Sequence, residues 1–482
     1  MKISLDKSVN TPLYVQLCEE IKENIIKENL KEEEKLPSIR SLARELNINN
    51  ITVINAYKLL EKEGYVYSKG GSGTYVRSIG KNLEYKYYSE KEIDLMSSGI
   101  LTLSKNSINF ANISPNPELF PVKEFKEAII EVLDREKGNA FVYPEINGYE
   151  PLRESISSFL KENYKIDVEK NQIQITSGGQ QGIDIVTKTL IYPGDYVFVE
   201  NPTYQSAIDN FKWRGANILD IPINENGIDI DTLKKRAKEY RPKLLYVMPN
   251  YQSPTTYSYS EKIKEELVKC AYEYNFYILE DDFLSDLTYQ GEKRIPLKAI
   301  DKHDQIIYIK TFSKIFMPGI RMGFLTIPKR LSKGIIRAKH ITDISSSGFI
   351  QKSFDLYLRK GLWKNHMENI MKIYKKKYKL MLKEITNLKK YGVSFFDPKG
   401  GLSFWLKLPA GVNSIDMYNE CAKNNVIIVP GDIFFIDKNI DTNYIRLSFG
   451  DVDDEYIIKG MRTIENFLIQ QIKEKNQYIP LV

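Results

Sequence analysis

The sequence predicts an α/β protein, a sheet covered by helices, preceded by a small helical module that ends in a β-hairpin. Three observations lead there. The chain has 482 residues, more than one hydrophobic core organises, so two or three domains are expected. From about residue 109 onward, apolar strands alternate with amphipathic helical stretches. Residues 1–77 instead show helical spacing and then two short alternating strands around a glycine-rich turn.

Bulk properties exclude several classes. Hydrophobic residues make up 42% and charged residues 27%, ordinary values for a soluble globular protein. The three cysteines (Cys18, Cys270, Cys421) are far apart and in no ligand spacing. A disulfide framework and a structural zinc site are therefore not expected, and a reducing compartment fits. His303, His340 and His366 are equally scattered; they read as surface or packing residues, and no metal site is expected. The N-terminal MKISLDKSVNTPLYVQL has no long apolar core of a secretory signal. No apolar run is long enough to span a bilayer. These features point to a cytoplasmic protein with no membrane partner.

The net charge of +6 is too weak to indicate nucleic-acid binding. Its distribution says more. Residues 19–34 carry seven glutamates, whereas residues 35–77 carry seven Lys/Arg against three Glu, a basic tilt on one short segment.

In the first module, Leu13, Leu17, Ile21 and Ile25 recur at helical spacing, predicting a first helix that ends in the charged KEEEK stretch. Pro37-Ser38 signals the start of a short helix that turns Leu42 and Leu46 inward. The polar turn Asn47-Ile48-Asn49 follows. A further helix begins near Asn50, buries Val53, Ala56, Tyr57 and Leu60, and stops at Gly64. Strands Tyr65–Tyr67 and Thr74–Val76 bracket Ser68-Lys69-Gly70-Gly71-Ser72-Gly73 as a hairpin. Helix, helix, turn, helix and hairpin make a winged helix-turn-helix.

LPSIR, LA, TV..AY..L...G and G.G.YV together make this module resemble the GntR family of DNA-binding domains. The resemblance implies double-stranded DNA as partner. The second helix of the motif would lie in the major groove, with Asn49, Asn50, Thr52 and Asn55 reaching bases. Ser38, Arg40 and Lys58 would hold phosphates, and Lys69 with the wing tip would follow the minor groove. The family usually has arginine where Asn50 stands. An asparagine can still read adenine with two hydrogen bonds, which suits an A/T-rich operator. A module serving only subunit contacts is the alternative, and it leaves the wing glycines and the basic tilt without purpose.

Residues 78–108 have mixed polar composition and no sustained period. They read as a linker that lets the flanking modules adopt variable positions.

In residues 109–482, predicted strands are Ile173–Thr176, Tyr196–Glu200, Lys243–Met248, Phe276–Glu280, Ile306–Thr311 and Arg321–Thr326. Ligands in open α/β sheets sit at the carboxyl ends of strands. The first such junction is Thr176-Ser177-Gly178-Gly179-Gln180-Gln181-Gly182, a strand followed by a helix that starts with glycines, whose free N–H groups suit a phosphate. The second, Glu200-Asn201-Pro202-Thr203-Tyr204, offers an aromatic that could stack on a planar ring or simply pack. In the third, Glu280-Asp281-Asp282-Phe283, two adjacent acids follow a buried strand; a buried carboxylate beside a pyridine nitrogen keeps that nitrogen protonated. The fourth runs from Tyr308 through Thr311-Phe312-Ser313-Lys314 to Arg321. A lysine in a pocket shifts its proton affinity readily and can form an imine with an aldehyde, while Thr311 and Arg321 could hold a phosphate.

These four segments, with LFP (119–121), YPEINGYEPLR (143–153), PNYQSPTT (249–256), GGLSFW (400–405) and YIRLSFG (444–450), resemble the type I aminotransferase family over residues 109 to roughly 470. That implies a mainly parallel large domain, a small α+β domain, and pyridoxal 5′-phosphate (PLP) as cofactor. It assigns the Schiff-base role to Lys314 and pairing of the pyridine nitrogen to Asp281. Tyr204 stacks on the ring. Gly179, Gln180, Thr311 and Arg321 hold the phosphate, and Tyr143 reaches the phosphate site of a partner subunit. Arg446 stands where the family binds an amino-acid carboxylate, and Asp282 is structural. Fusion to a GntR-like head resembles the MocR/GabR group of transcriptional regulators. That implies a homodimer, domain-swapped so that each DNA head packs on the other subunit, with a small amine or amino acid as effector, sensed through aldimine chemistry.

Three positions depart from the family. Phe283 stands near where a tyrosine often bonds the ring O3′. Ser253 replaces the asparagine before Pro-Thr and substitutes for it in part. A glycine that usually lines the substrate site appears as Ile113 or Ser114. Fewer groups to tune the imine imply weak or absent turnover, hence a regulator. The competing reading is a PLP-dependent aminotransferase with an appended winged helix.

Overall fold

Three helices build the first unit because their apolar stripes meet. Helix α1 (Leu13–Ile26) contributes Leu17, Ile21 and Ile25, α2 (Ile39–Glu45) contributes Leu42 and Ala43, and α3 (Asn50–Lys62) contributes Val53, Ala56, Tyr57 and Leu60 to one buried cluster. Ser38 starts α2 as an N-cap, its hydroxyl accepting from the Ser41 N–H at 3.2 Å. The Tyr57 hydroxyl donates to the Pro37 carbonyl at 2.8 Å, tying α3 to the turn before α2. Strands β1 (Val66–Lys69) and β2 (Gly73–Val76) form the antiparallel wing.

One expectation is corrected here. KEEEK, residues 31–35, does not end the first helix, whose last residue is Ile26. Glu33, Glu34 and Leu36 instead pair through their backbones with Thr74 and Val76, and Lys35 bridges Tyr75. The free edge of β2 is covered by its own chain, and that need outweighs the helix propensity of a glutamate run.

In this computed structural model, the described residues are 12–26, 29–31, 33–62, 65–69, 73–76, 107–291, 293–437 and 442–477. Gly64, the wing residues Gly70, Gly71 and Ser72, and the connector as far as residue 106 lie outside them. The chain divides into two compact units, Met1–Ile93 and Asp94–Val482. No helix among the described residues is long and apolar enough to cross a membrane.

The second unit opens with β3 (Ile108–Asn109), which pairs with β14 (Val426–Ile427). Its main sheet contains β4 (Ile173–Thr176), β5 (Tyr196–Asn201), β6 (Asn217–Asn224), β7 (Gly227–Ile228), β8 (Leu244–Val247), β9 (Tyr277–Asp282), β10 (Ile306–Thr311) and β11 (Gly323–Thr326), in the order β4-β11-β10-β9-β8-β5-β6-β7. Strands β10, β9, β8, β5 and β6 run parallel, whereas β11 runs against both neighbours. Continuous burial along β4, β8, β10 and β11 follows from helices on both faces. Tyr246, Leu279, Ile307, Ile309 and Leu325 face one helical layer, and Tyr308 and Phe324 face the other.

A smaller antiparallel sheet has the order β12 (Ser394–Phe395), β13 (Ser403–Lys407), β16 (Tyr444–Ser448), β15 (Val429–Pro430). It packs with the long helix Leu362–Asn387 and with Asp454–Gln477. The expected mainly parallel large sheet and small α+β part are both present.

Leu60 is fully buried where α3 meets its neighbours. Leu60→Ala should cost the first unit about 2–5 kcal/mol. Denaturation of the full chain would show this as an earlier first transition, with the transition of the second unit unmoved.

Candidate functional site

Gly323, the first residue of β11, lies opposite Thr176 at the end of β4 and opposite Thr311 at the end of β10. A Cβ there would stand 3.1 Å from the Gly178 backbone and from the Lys310 carbonyl oxygen. Glycine lets the three strand ends close up without pushing that backbone aside by a few tenths of an ångström. Helix Gly179–Leu190 begins at this point after Gly178, which has φ +84° and supplies no side-chain cap. Helix Glu261–Tyr274, by contrast, is capped by the Ser260 hydroxyl. The uncapped N–H groups suit a phosphate.

Arg321 reaches the same place from a left-handed turn, φ +52°, so β11 starts two residues later than expected from sequence. Its Nη2 donates to the Ser177 carbonyl at 2.9 Å. A Cβ on Gly179 would meet the Thr311 Cβ at 3.9 Å, and the Thr311 hydroxyl donates to Ser313 Oγ at 3.0 Å. Gln180 is exposed beside them; its Oε1 accepts from the Tyr204 hydroxyl at 3.3 Å and its Nε2 donates to the Ser206 carbonyl at 3.4 Å. Gly179, Gln180, Thr311, Arg321 and Tyr204 therefore converge around one helix start.

Asp281 is buried on the sheet face that carries Tyr246, and the Tyr246 hydroxyl donates to its Oδ2 at 2.8 Å. Burial raises its proton affinity, the Tyr246 bond opposes this and Asp282 adds to it, leaving Asp281 at about 6. It is mostly ionised at neutral pH. Lys314, just beyond β10, is half-buried, and loss of hydration with the charges of Arg446 and Arg321 pushes it down to about 8, against the pull of Asp281. An appreciable unprotonated fraction at neutral pH is what imine formation needs.

Arg446 on β16 donates through Nη2 to the Ala111 carbonyl at 2.7 Å and lies 5.1 Å from the Phe434 ring centre. Its Nε is buried without a partner, and burial lowers it to about 10. Among the described residues no carboxylate pairs with it. A half-buried guanidinium in that condition suits an anion. Ile113 and Ser114 follow Ala111 after one residue, Asn112, and Ile113 packs against the main core.

The remaining expected residues take other places. Ser253 is buried in the loop after β8. Tyr143 is 79% exposed, outside this cluster. Phe283 is packed between two hydrophobic clusters. In the first unit Ser38, Arg40, Asn49, Asn50, Asn55, Lys58 and Lys69 are exposed and Thr52 is half-buried. Asn49 Oδ1 accepts from the Ile51 N–H at 2.9 Å, which caps α3 and leaves the amide NH2 group of that side chain for a ligand.

Sequence reasoning missed two supports. One is Tyr246, whose signal was a phenol inside an otherwise apolar strand. The other is Glu200, held by the Tyr259 hydroxyl at 2.6 Å and by Gln252 Nε2 and the Met248 N–H, each at 3.2 Å. Burial pushes Glu200 up to about 7. Its partners join the loop bearing Tyr204 to the loop bearing Ser253, since Gln252 also donates to the Pro202 carbonyl at 2.7 Å.

In the cofactor-free full chain, labelling of Lys314 by an amine-directed reagent should level off above about pH 8. Exposed lysines should go on gaining reactivity towards about pH 10. Peptide mapping by mass spectrometry reads both, and an ordinary lysine profile at Lys314 would contradict the enclosure described.

Comparison with known proteins agrees with this geometry. Residues 103–464 match the family described as aminotransferase class I and II, and residues 13–76 match the gntR family of bacterial regulatory proteins. The chain is 32% identical to aromatic-amino-acid aminotransferase 1 of Thermococcus litoralis, over 81% of this chain and 96% of that protein. It is 27% identical to YcxD of Bacillus subtilis, described as an uncharacterised HTH-type transcriptional regulator, over 94% of this chain and 99% of the other. The crystal structure of Pyrococcus horikoshii kynurenine aminotransferase in complex with PMP superposes with a TM-score of 0.74 at 30% identity, covering 81% of this chain and 96% of that one. The chain therefore belongs to the class I and II aminotransferase family and carries a GntR-type winged helix-turn-helix at its N-terminal end, the combination of the MocR/GabR regulators.

Proposed function

We propose that the protein is a PLP-dependent, DNA-binding transcriptional regulator that senses an amino acid at Lys314. The observation that carries the reading is the coexistence in one chain of a lysine site with a lowered proton affinity and a folded winged helix whose α3 turns Asn50, Asn55 and Lys58 outward. Bound PLP supplies an aldehyde that links reversibly to amines and absorbs visible light. The protein's own groups do the rest. The start of helix Gly179–Leu190, with Gln180, Thr311 and Arg321, holds the phosphate, and Tyr204 covers the ring. Asp281 keeps a negative charge at the ring nitrogen, Ser253 stands in part for the family's asparagine, and Lys314 gives up its proton near neutral pH. Arg446 takes a carboxylate, which favours amino acids over plain amines as effectors.

The protein acts in the cytoplasm as a homodimer, with Tyr143 completing the phosphate site of the partner subunit and each DNA head resting on the other subunit. Residues 1–77 form the head, residues 78–108 the linker and residues 109–482 the sensor. Ser38, Arg40, Lys58 and Lys69 meet phosphates, and Asn49, Asn50, Thr52 and Asn55 meet bases. Two-fold symmetry calls for paired half-sites on the operator. The 32% identity to an aminotransferase favours a second reading, an enzyme with an appended head. Phe283 and Ser253 weigh against sustained turnover.

A gel shift on DNA upstream of its own gene, with and without PLP and a panel of amino acids, tests the choice. A shift that changes with one amino acid, and no keto-acid product, is expected. Steady multiple-turnover transamination would instead establish the enzyme. Arg446→Gln should weaken the response to the amino acid about tenfold or more, by removal of a charge-assisted pair, and leave the response to the matching decarboxylated amine nearly unchanged. Lys58→Ala should weaken DNA binding uniformly across sequences and reduce the salt slope by about one.

A further inference from the structure

We propose that Lys310 is a positioning residue that sets the charge of the cofactor site from the reverse face of the sheet, acting across it on Asp281. This rests on the function proposed above. Lys310 stands opposite Asp282 in the β9–β10 register, whereas Asp281 stands opposite Ile309. Alternation therefore puts Asp281 and Thr311 on one face and Lys310 with Asp282 on the other.

Lys310 has no solvent exposure. Its Nζ lies 2.7 Å from Asp286 Oδ2, 3.5 Å from Asp282 Oδ2 and 4.7 Å from the centre of the Tyr164 ring. The hydroxyls of Tyr308 and Ser285 each donate to Asp282 Oδ2 at 2.6 Å, and the Tyr164 hydroxyl donates to Asp286. Further charged groups face this cluster, among them Arg294, 6.0 Å from the ring centre of Tyr251, a phenol that feels the charge of Asp282. Glu280, two residues before Asp282, is held by the Leu297 and Lys298 N–H groups, and Lys293 lies 5.5 Å from the Tyr164 ring centre. Asp286 also lines an open cavity of about 1130 Å³ with Phe159 and Trp363.

Apolar side chains could fill this space without desolvating three charges, so packing stability alone does not account for the cluster. Its place does. Asp282 adjoins Asp281 and raises its proton affinity, and Lys310 opposes that rise. One ammonium between two carboxylates leaves a fixed charge directly behind the group that faces the ring nitrogen.

The test is a pH titration of the visible absorbance of the PLP-loaded full chain, with thermal melting recorded alongside. Loss of a positive charge favours the protonated form of every nearby group, and loss of a negative charge disfavours it. Lys310→Met should therefore raise the midpoint, and Asp286→Asn should lower it, each by about one unit. Lys310→Arg should restore the unsubstituted midpoint. If Lys310→Met does not fold, the downward shift in Asp286→Asn decides. Unmoved midpoints, with or without lower melting temperatures, would make the cluster structural and overturn the proposal. Absence of any visible band in unsubstituted protein would overturn the proposed function and this inference together; a normal band with unmoved midpoints overturns this inference alone.

Discussion

The direction of β11 governs the site. A strand antiparallel to both neighbours begins where they end, so the residues that lead into it arrive at the carboxyl edge of β4 and β10. Arg321 is thereby kept beside the Thr311–Lys314 end of β10, close to it in the chain, and delivered to the distant glycine loop of β4. Had β11 run parallel, Arg321 would enter at the opposite edge of the sheet. Gly323 eases this approach, since a Cβ there would press at 3.1 Å on the Gly178 backbone and the Lys310 carbonyl, and one of them would have to give by a few tenths of an ångström.

A second constraint follows from the first. Gathering polar chemistry at buried strand ends puts Glu200, Glu280, Asp281 and Asp282 inside the sheet, and each must be satisfied there. The chain does so by distinct means: phenols and amides around Glu200, two backbone N–H groups on Glu280, Tyr246 on Asp281, and Lys310 with Tyr308 and Ser285 on Asp282. These bonds cross between strands, so the carboxylates that tune the site also hold its loops in place.

Much of this was legible in the sequence because its signals are local. The strand Ile306–Thr311 and the helices of the winged module follow from periodicity. Lys314, Asp281 and Arg321 stand out because ionisable residues at strand ends need a reason. What stayed hidden depends on the third dimension. Tyr246 is an unremarked aromatic until β8 is laid beside β9. Lys310 is one more lysine in a charged chain until the register sets it opposite Asp282. The pairing of Glu33–Leu36 with β2 runs against a local composition that favours helix, and only the exposed strand edge explains it. The burial that lowers the proton affinity of Arg446 is likewise a product of the fold, which no local pattern around position 446 announces.

The contact between Gly178 and Arg321 has an evolutionary side. A Cβ at position 178 would come within 2.6 Å of the guanidinium Nη2 and would also have to adopt a positive φ. The guanidinium is the far end of a flexible side chain and can give way, whereas the positive φ stays whatever the neighbour does. Position 178 is therefore tied to glycine by its own turn, and Arg321 keeps its place against the Ser177 carbonyl only while position 178 stays small. In descendants of this chain, a side chain acquired at position 178 would show itself first as a displaced guanidinium.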